Sequence, residues 1–342
     1  MEYGSDFSIA LGKTEYTEHS IFNFLKEFNA LYFDSGRSAT KYLLESIKHE
    51  YTAVPDYLCE SIFDCFTDCN VIHYHINGTL DAVDLDKIPW DRLDVFYLLH
   101  YFGSLQNQEV LKYILEKKRE FGFIVIEDTT HSLFTSPLIV GDYGVCSLRK
   151  WFPIPDGGVL YSKKSLNQDS YSKLARKQSD RIEGMVLKSL YLKGVIKEKD
   201  AFRKIFIETE NQLDSQEQVF RLSTVSEYIL HCVNVEDVIL RRKQNHAVLR
   251  NAIGDILPEV QTRNLDGIPF IYVTRTENRD ALRSYLIKNE VFCPVHWPLP
   301  KGCNSNGAIR LSDELISIPI DQRYTEKEVL NTARIIRGFY NE

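Results

Sequence analysis

The sequence predicts an α/β protein, with a large domain built on a mainly parallel sheet over residues 1–225, N-terminal segment included, and a smaller C-terminal α/β domain over residues 226–342. Three observations predict it. Apolar runs of strand length alternate with stretches of helical period. Hydrophobic residues make up 44% of the chain and charged residues 26%, as in ordinary globular proteins. At 342 residues the chain is long enough for two domains of about 150 residues each.

The elements follow in chain order. Asp34-Ser35-Gly36-Arg37 reads as a turn, and Ser38 to Lys48 then sets Ala39, Tyr42, Leu43 and Ile47 on one helical face. Val71 to Ile76 and Val95 to Leu99 read as short strands. Glu109 to Arg119 reads as a helix feeding Phe121 to Ile126, an apolar run of buried-strand type. Strand, helix and strand in this order imply a right-handed crossover. Tyr171 to Gln218 is rich in Lys, Arg and Glu with helical periodicity, and a helix over Val225 to Ile253 carries the chain out of the first domain. A strand at Pro269 to Val273, a helix at Asn278 to Asn289, a short extended segment at Val291 to Trp297 and a helix from Thr325 to Tyr340 complete the second domain. Pro298, Pro300, Gly302 and Gly307 mark a loop within it.

Composition excludes several classes of function. Forty-one basic against 48 acidic side chains give a net charge of -7, and no Lys/Arg stripe offsets it, so the footprint of a nucleic-acid binder is missing. Seven scattered cysteines (59, 65, 69, 146, 232, 293 and 303) do not form the even, dense framework of a secreted domain. Met1 to Lys13 has no basic start followed by an apolar block, and no run approaches 18 apolar residues, so the expectation is a cytoplasmic protein without a membrane partner. Cys59, Cys65 and Cys69 lack the paired spacing of a zinc site, and His73 and His75 alternate as strand residues do; no metal is expected.

Three segments hold the residues able to do chemistry. Residues 121–132, FGFIVIEDTTHS, end an apolar strand on Glu127 and Asp128 and place His131 three residues on. Ligands of doubly wound sheets lie outside the carboxyl ends of strands. An acid there can serve as a ligand group, as a helix cap, or as a solvated turn residue. Lys150 lies in CSLRKWFPIPDGGVLYS, residues 146–162, beside Trp151, Phe152 and the pair Gly157-Gly158. A lysine desolvated among aromatic groups has a lowered pKa and a free amine for Schiff-base chemistry, which is the setting expected of Lys150. Gly36-Arg37-Ser38 opens a helix, where backbone N–H groups and the helix dipole favour a phosphate.

Together these segments resemble the DegT/StrS-like family of sugar-nucleotide aminotransferases, which are fold-type-I enzymes dependent on pyridoxal 5'-phosphate (PLP). The resemblance runs in order along most of the chain: Ser35-Gly36-Arg37-Ser38-Ala39, Val54-Pro55-Asp56-Tyr57, His100-Tyr101-Phe102-Gly103, Ile126-Glu127-Asp128-Thr129-Thr130-His131, Ser147 and Lys150 with Pro155-Asp156-Gly157-Gly158, Phe220-Arg221-Leu222-Ser223, Pro294-Val295-His296-Trp297, and LISIPI at 315–320. It implies that Lys150 holds the cofactor covalently and later carries a proton between the substrate carbon and the cofactor C4' atom. Asp128 would face the pyridine nitrogen, His131 the phenolic oxygen, and Tyr57 the ring plane. The phosphate would rest on the turn at Gly36, on the N–H groups of Arg37 and Ser38, and on the Ser147 hydroxyl. His296 and Arg221 would face the substrate, Arg221 near the interface of a homodimer.

Two departures stand out. The stretch from His131 to Lys150 is shorter than in typical members, and Val219 stands where relatives carry an asparagine that reaches the neighbouring subunit's phosphate; Arg37 could substitute through its planar fork. The activity implied is transfer of an amino group from a donor such as glutamate to a keto-sugar nucleotide. Dehydration or elimination on a sugar is an alternative, opposed by Lys150 because relatives that deoxygenate sugars replace the lysine with histidine. A PLP-fold protein that serves as a silent binding or regulatory subunit is another.

Overall fold

Buried strands such as Val95–Leu99 form on the continuous apolar runs, and helices such as Gly36–Glu45 on amphipathic ones. The computed structural model describes residues 2–9, 15–168, 175–260, 267–299 and 305–341. The chain forms two compact units: Asp6–Ile47 with Tyr143–Glu236, and Glu2–Ser5 with Lys48–Asp142 and Asp237–Glu342.

In the first unit three antiparallel strands lie in the order Asn29–Phe33, Gly158–Ser162, Tyr143–Ser147. Helix Gly36–Glu45 starts at Ser35, whose hydroxyl accepts the Ser38 N–H at 3.0 Å, the arrangement a serine cap favours. Its inner face carries Ala39, Tyr42 and Leu43 as the spacing predicts, whereas Ile47 lies beyond the last turn. Helices Ser179–Leu192 and Asp200–Asp214 pack through Met185, Phe202 and Phe206. Tyr171, where the helical stretch was placed to begin, lies outside the described residues.

In the second unit Ile124–Asp128, Val95–Leu99, Tyr51–Pro55 and Asn70–Ile76 are parallel neighbours in that order, and Ala82–Val83 adds an antiparallel edge. Every residue of Val95–Leu99 is buried, which is why the run carries no polar alternation. Helix Gln108–Phe121 connects Val95–Leu99 to Ile124–Asp128 and extends further than its apolar spacing suggests. Phe121 is its last residue rather than the first of the strand, because Gly122 takes the left-handed φ of 82° that ends the helix.

The C-terminal part of this unit has two strand pairs, Tyr272–Arg275 with Leu315–Ile318 and Tyr3–Gly4 with Val291–Phe292. Helices Arg279–Lys288 and Glu326–Asn341 close over a core of Tyr272, Leu282, Leu286, Ile316, Ile318 and Ile336. The helix expected over Val225 to Ile253 is two, Thr224–Cys232 and Val235–Ile253. The break is chemical: Val233 is extended, and the Asn234 side chain accepts the Glu236 N–H at 2.9 Å to start the second helix. The strand expected from Pro269 begins at Tyr272. Gly307 belongs to helix Asn306–Glu314 rather than to a loop, and Pro300 and Gly302 lie outside the described residues. No helix among the described residues is long and apolar enough to cross a membrane.

Candidate active site

Within the first unit the turn before helix Gly36–Glu45 meets the end of strand Tyr143–Ser147. A Cβ added to Gly36 would stand 3.1 Å from the Ser147 nitrogen, and one on Gly158 would overlap the Ser35 carbonyl. Only glycine lets the two segments approach so closely. The Gly157 N–H donates to the Asp34 carbonyl at 2.7 Å, and the Leu148 N–H to the Gly157 carbonyl at 3.0 Å. The structure thus brings Gly36, Ser38 and Ser147 together at a helix N-terminus, the backbone arrangement that suits a phosphate. The cradle fits the phosphate of PLP.

Arg37 departs from the sequence expectation. Its guanidinium donates to the Leu213 carbonyl at 2.9 Å and pairs with the Asp214 carboxylate at 2.6 Å, at the carboxyl end of helix Asp200–Asp214. The last carbonyls of a helix attract a cation, so the planar fork grips a helix end instead of a ligand phosphate.

Lys150 ends the short turn Leu148–Lys150 that follows Ser147. The expected desolvation is corrected: Trp151 and Phe152 are 0% and 1% exposed, whereas Lys150 is exposed. Neighbours in sequence point apart in a turn this tight, so the aromatic pair anchors the loop while the amine projects from it. Arg149 fixes the turn from the other side through two 2.9 Å bonds to Glu210. Burial alone would raise the Glu210 carboxyl, but Arg149, Arg181 and Lys150 hold it well below the usual carboxylate range. Asp156 secures the far side of the loop by accepting the Ser223 N–H at 3.0 Å and the hydroxyls of Ser223 and Ser226. Arg221 lies two residues before this cap, half-buried, with its backbone bridged to Phe33 and Ala175; no described residue hydrogen-bonds its guanidinium.

In the second unit the carboxyl ends of the parallel strands gather Tyr57, His100 and Asp128, as the rule for such sheets requires. Asp128 is 4% exposed; Oδ1 accepts the Thr130 N–H and Oδ2 the Tyr97 hydroxyl, each at 2.9 Å. Burial raises its pKa, opposed by the bonds from Thr130 and Tyr97 and by the nearby His100. A carboxylate has about four acceptor sites, so Asp128 retains capacity for a cationic N–H such as a pyridinium. Behind it, His100 Nδ1 accepts the Gln106 N–H at 3.1 Å, which leaves the proton on Nε2 to donate to Glu127 at 2.8 Å.

His131, Tyr57 and His296 meet in an aromatic cluster of the same unit. His131 stacks on Phe270 at 4.4 Å and on Trp297 at 5.3 Å between centroids, and His296 stands edge-on to it at 5.2 Å. His296 Nδ1 lies 2.9 Å from the Ser317 hydroxyl. Tyr57, fully buried, tilts against Trp297 at 5.3 Å and stacks with Tyr101. Sequence reasoning passed over Tyr97, which appears there as one more apolar strand residue. The signal that finds it is register: with Leu99 paired to Asp128, Tyr97 shares the face of Asp128 on the next strand, within diagonal reach.

No protein-family model matches the chain, and no curated protein matches it by sequence. Solved structures match it over nearly its whole length. Helicobacter pylori PseC, an aminotransferase involved in the biosynthesis of pseudoaminic acid, is 13% identical, with 100% of both chains covered and a TM-score of 0.67. A DegT DnrJ EryC1 StrS aminotransferase from Brucella abortus is 15% identical over 94% of this chain and 88% of its own, with a TM-score of 0.65. A putative sugar aminotransferase from Streptococcus pneumoniae in its PLP-form is 12% identical over 98% and 99%, with a TM-score of 0.62. The chain therefore has fold type I of the PLP-dependent transferases, the fold its motifs imply.

Proposed function

We propose that this chain is a PLP-dependent aminotransferase that moves an amino group from an amino-acid donor such as glutamate to a keto-sugar nucleotide, as a cytoplasmic homodimer. The observation that carries this function is the Ser147–Lys150 turn, which the Arg149–Glu210 pair braces, which presents an exposed amine, and whose Ser147 lies against Gly36 at a helix N-terminus. Solved structures of this fold support it, since they include a DegT DnrJ EryC1 StrS aminotransferase and a putative sugar aminotransferase in its PLP-form.

When bound, PLP supplies an electron sink for charge developing at the substrate carbon. The chain's own groups do the rest. Backbone N–H groups at Gly36 and Arg37, with the Ser147 hydroxyl, would hold the phosphate at the helix start that Ser38 shapes by donating its N–H to the Ser35 hydroxyl. Asp128, ionised, holds a proton on the pyridine nitrogen. Tyr57 would lie against the ring, where an aromatic plane fixes tilt, and His131 would face the phenolic oxygen. Lys150 Nζ would hold the cofactor and would carry the proton at the reacting carbon. His296 and Arg221 face the substrate, with Arg221 near the dimer interface. The presence of Lys150 favours amino transfer over deoxygenation.

The test is to load the protein with PLP, remove the excess and add L-glutamate without an acceptor. Release of 2-oxoglutarate stoichiometric with bound PLP is expected, together with its loss in Lys150→Ala. No keto-acid release with any amino-acid donor would exclude an aminotransferase and favour a binding subunit.

A further inference from the structure

We propose that Tyr97 is a positioning residue for Asp128: its buried hydroxyl donates to Oδ2 and sets how far the carboxylate gives up a proton to the ligand's pyridine nitrogen. This rests on the assignment of PLP above and adds a residue on a neighbouring strand to it.

Four observations carry it. Tyr97 is fully buried and Asp128 nearly so, and the 2.9 Å bond between them lies where water does not compete. Tyr97 is held in place, its ring edge-on to Phe66 at 5.2 Å and its carbonyl accepting the Tyr74 hydroxyl at 2.9 Å. Asp128 is equally fixed, with Oδ1 bound to the Thr130 N–H and its carbonyl accepting the His100 N–H at 3.3 Å. The remaining titratable groups around it are His100 and Tyr101, just past the end of the neighbouring strand Val95–Leu99, and Tyr74 on Asn70–Ile76 with two strands between, and none makes a hydrogen bond to its carboxylate. Hydrogen bonds from neutral donors favour the ionised acid. Removing the Tyr97 donor makes Asp128 more basic, so the proton on the pyridine nitrogen moves toward Asp128 and the ring loses positive character.

The experiment loads the intact protein with PLP labelled with 15N at the ring nitrogen and compares native, Tyr97→Phe, Asp128→Asn and the double variant. The readouts are the 15N resonance and the pH midpoint at which bound PLP changes colour. Tyr97→Phe retains the ring's packing and is expected to move the resonance toward the unprotonated position and the midpoint upward by roughly half a pH unit or more. In the Asp128→Asn background Tyr97→Phe is expected to add nothing, because its effect passes through the carboxylate. A native-like resonance and midpoint in Tyr97→Phe overturns the role of Tyr97 while leaving PLP binding intact. A native protein that binds no PLP overturns both. If Tyr97→Phe does not fold, Tyr97→3-fluorotyrosine keeps the ring and strengthens the donor, and a midpoint shift downward is then expected; an unchanged midpoint rejects the role of Tyr97.

Discussion

Asp156 gives the loop around Lys150 its own response to pH. Its carboxyl is buried, and desolvation outweighs the hydrogen bonds from Ser223 and Ser226, pushing its pKa up to about 6 from an ordinary 3.8. Between those values the folded chain holds a proton that the unfolded chain has released, so this group's contribution to stability falls as pH rises from about 4 to 6. A shift of about two units corresponds to about 3 kcal/mol as an upper bound. Thermal unfolding of the native protein and of Asp156→Asn, compared from pH 4 to pH 7, checks it: the native protein should lose stability relative to the variant across that window. Parallel profiles would show that Asp156 keeps an ordinary pKa in the fold. Legibility at this scale is uneven. Lys150 and Asp128 stand out because their motifs bracket them, but the setting of Lys150 was misread, since Trp151 and Phe152 are its neighbours in sequence and not around its amine. Tyr97 has no local mark at all; only pairing between strands reveals it.

At the scale of elements, the junction of Ser35-Gly36 with Gly157-Gly158 and Ser147 is where the proposed function puts the phosphate. Gly158→Ala puts a methyl group into the Ser35 carbonyl, so the two segments must separate. The variant is expected to weaken PLP binding by about tenfold or more, a loss of about 1.4 kcal/mol, measured by equilibrium titration. A folded Gly158→Ala protein with native affinity would show that the junction does not hold the phosphate. Arg37 gives the complementary case. Because its guanidinium grips Leu213 and Asp214, Arg37→Ala should lower stability by about 1–2 kcal/mol, the range for a charged hydrogen bond discounted for the exposed Asp214, and leave the PLP dissociation constant within about threefold. Denaturant unfolding and the same titration separate the two effects. Helix Gly36–Glu45 and strand Val95–Leu99 were legible from spacing alone, whereas the break at Val233-Asn234 was not: a single asparagine cap interrupts an otherwise helical pattern without disturbing its hydrophobic period.

For the whole molecule, the ordered motifs announced the fold better than any one of them did, and solved structures of 12–15% identity share it over nearly the full length. Assembly is the property that one chain's pattern does not spell out. A two-fold homodimer is expected, the commonest closed arrangement of soluble proteins, with Arg221 toward the partner. Light scattering across a dilution series checks it, and a strict monomer that retains full PLP occupancy would contradict it. The most direct test of the central claim is chemical. Protein loaded with PLP is reduced with borohydride, digested and mapped by mass spectrometry. A single adduct on Lys150 is the expected result; an adduct on a different lysine, or none, would contradict it.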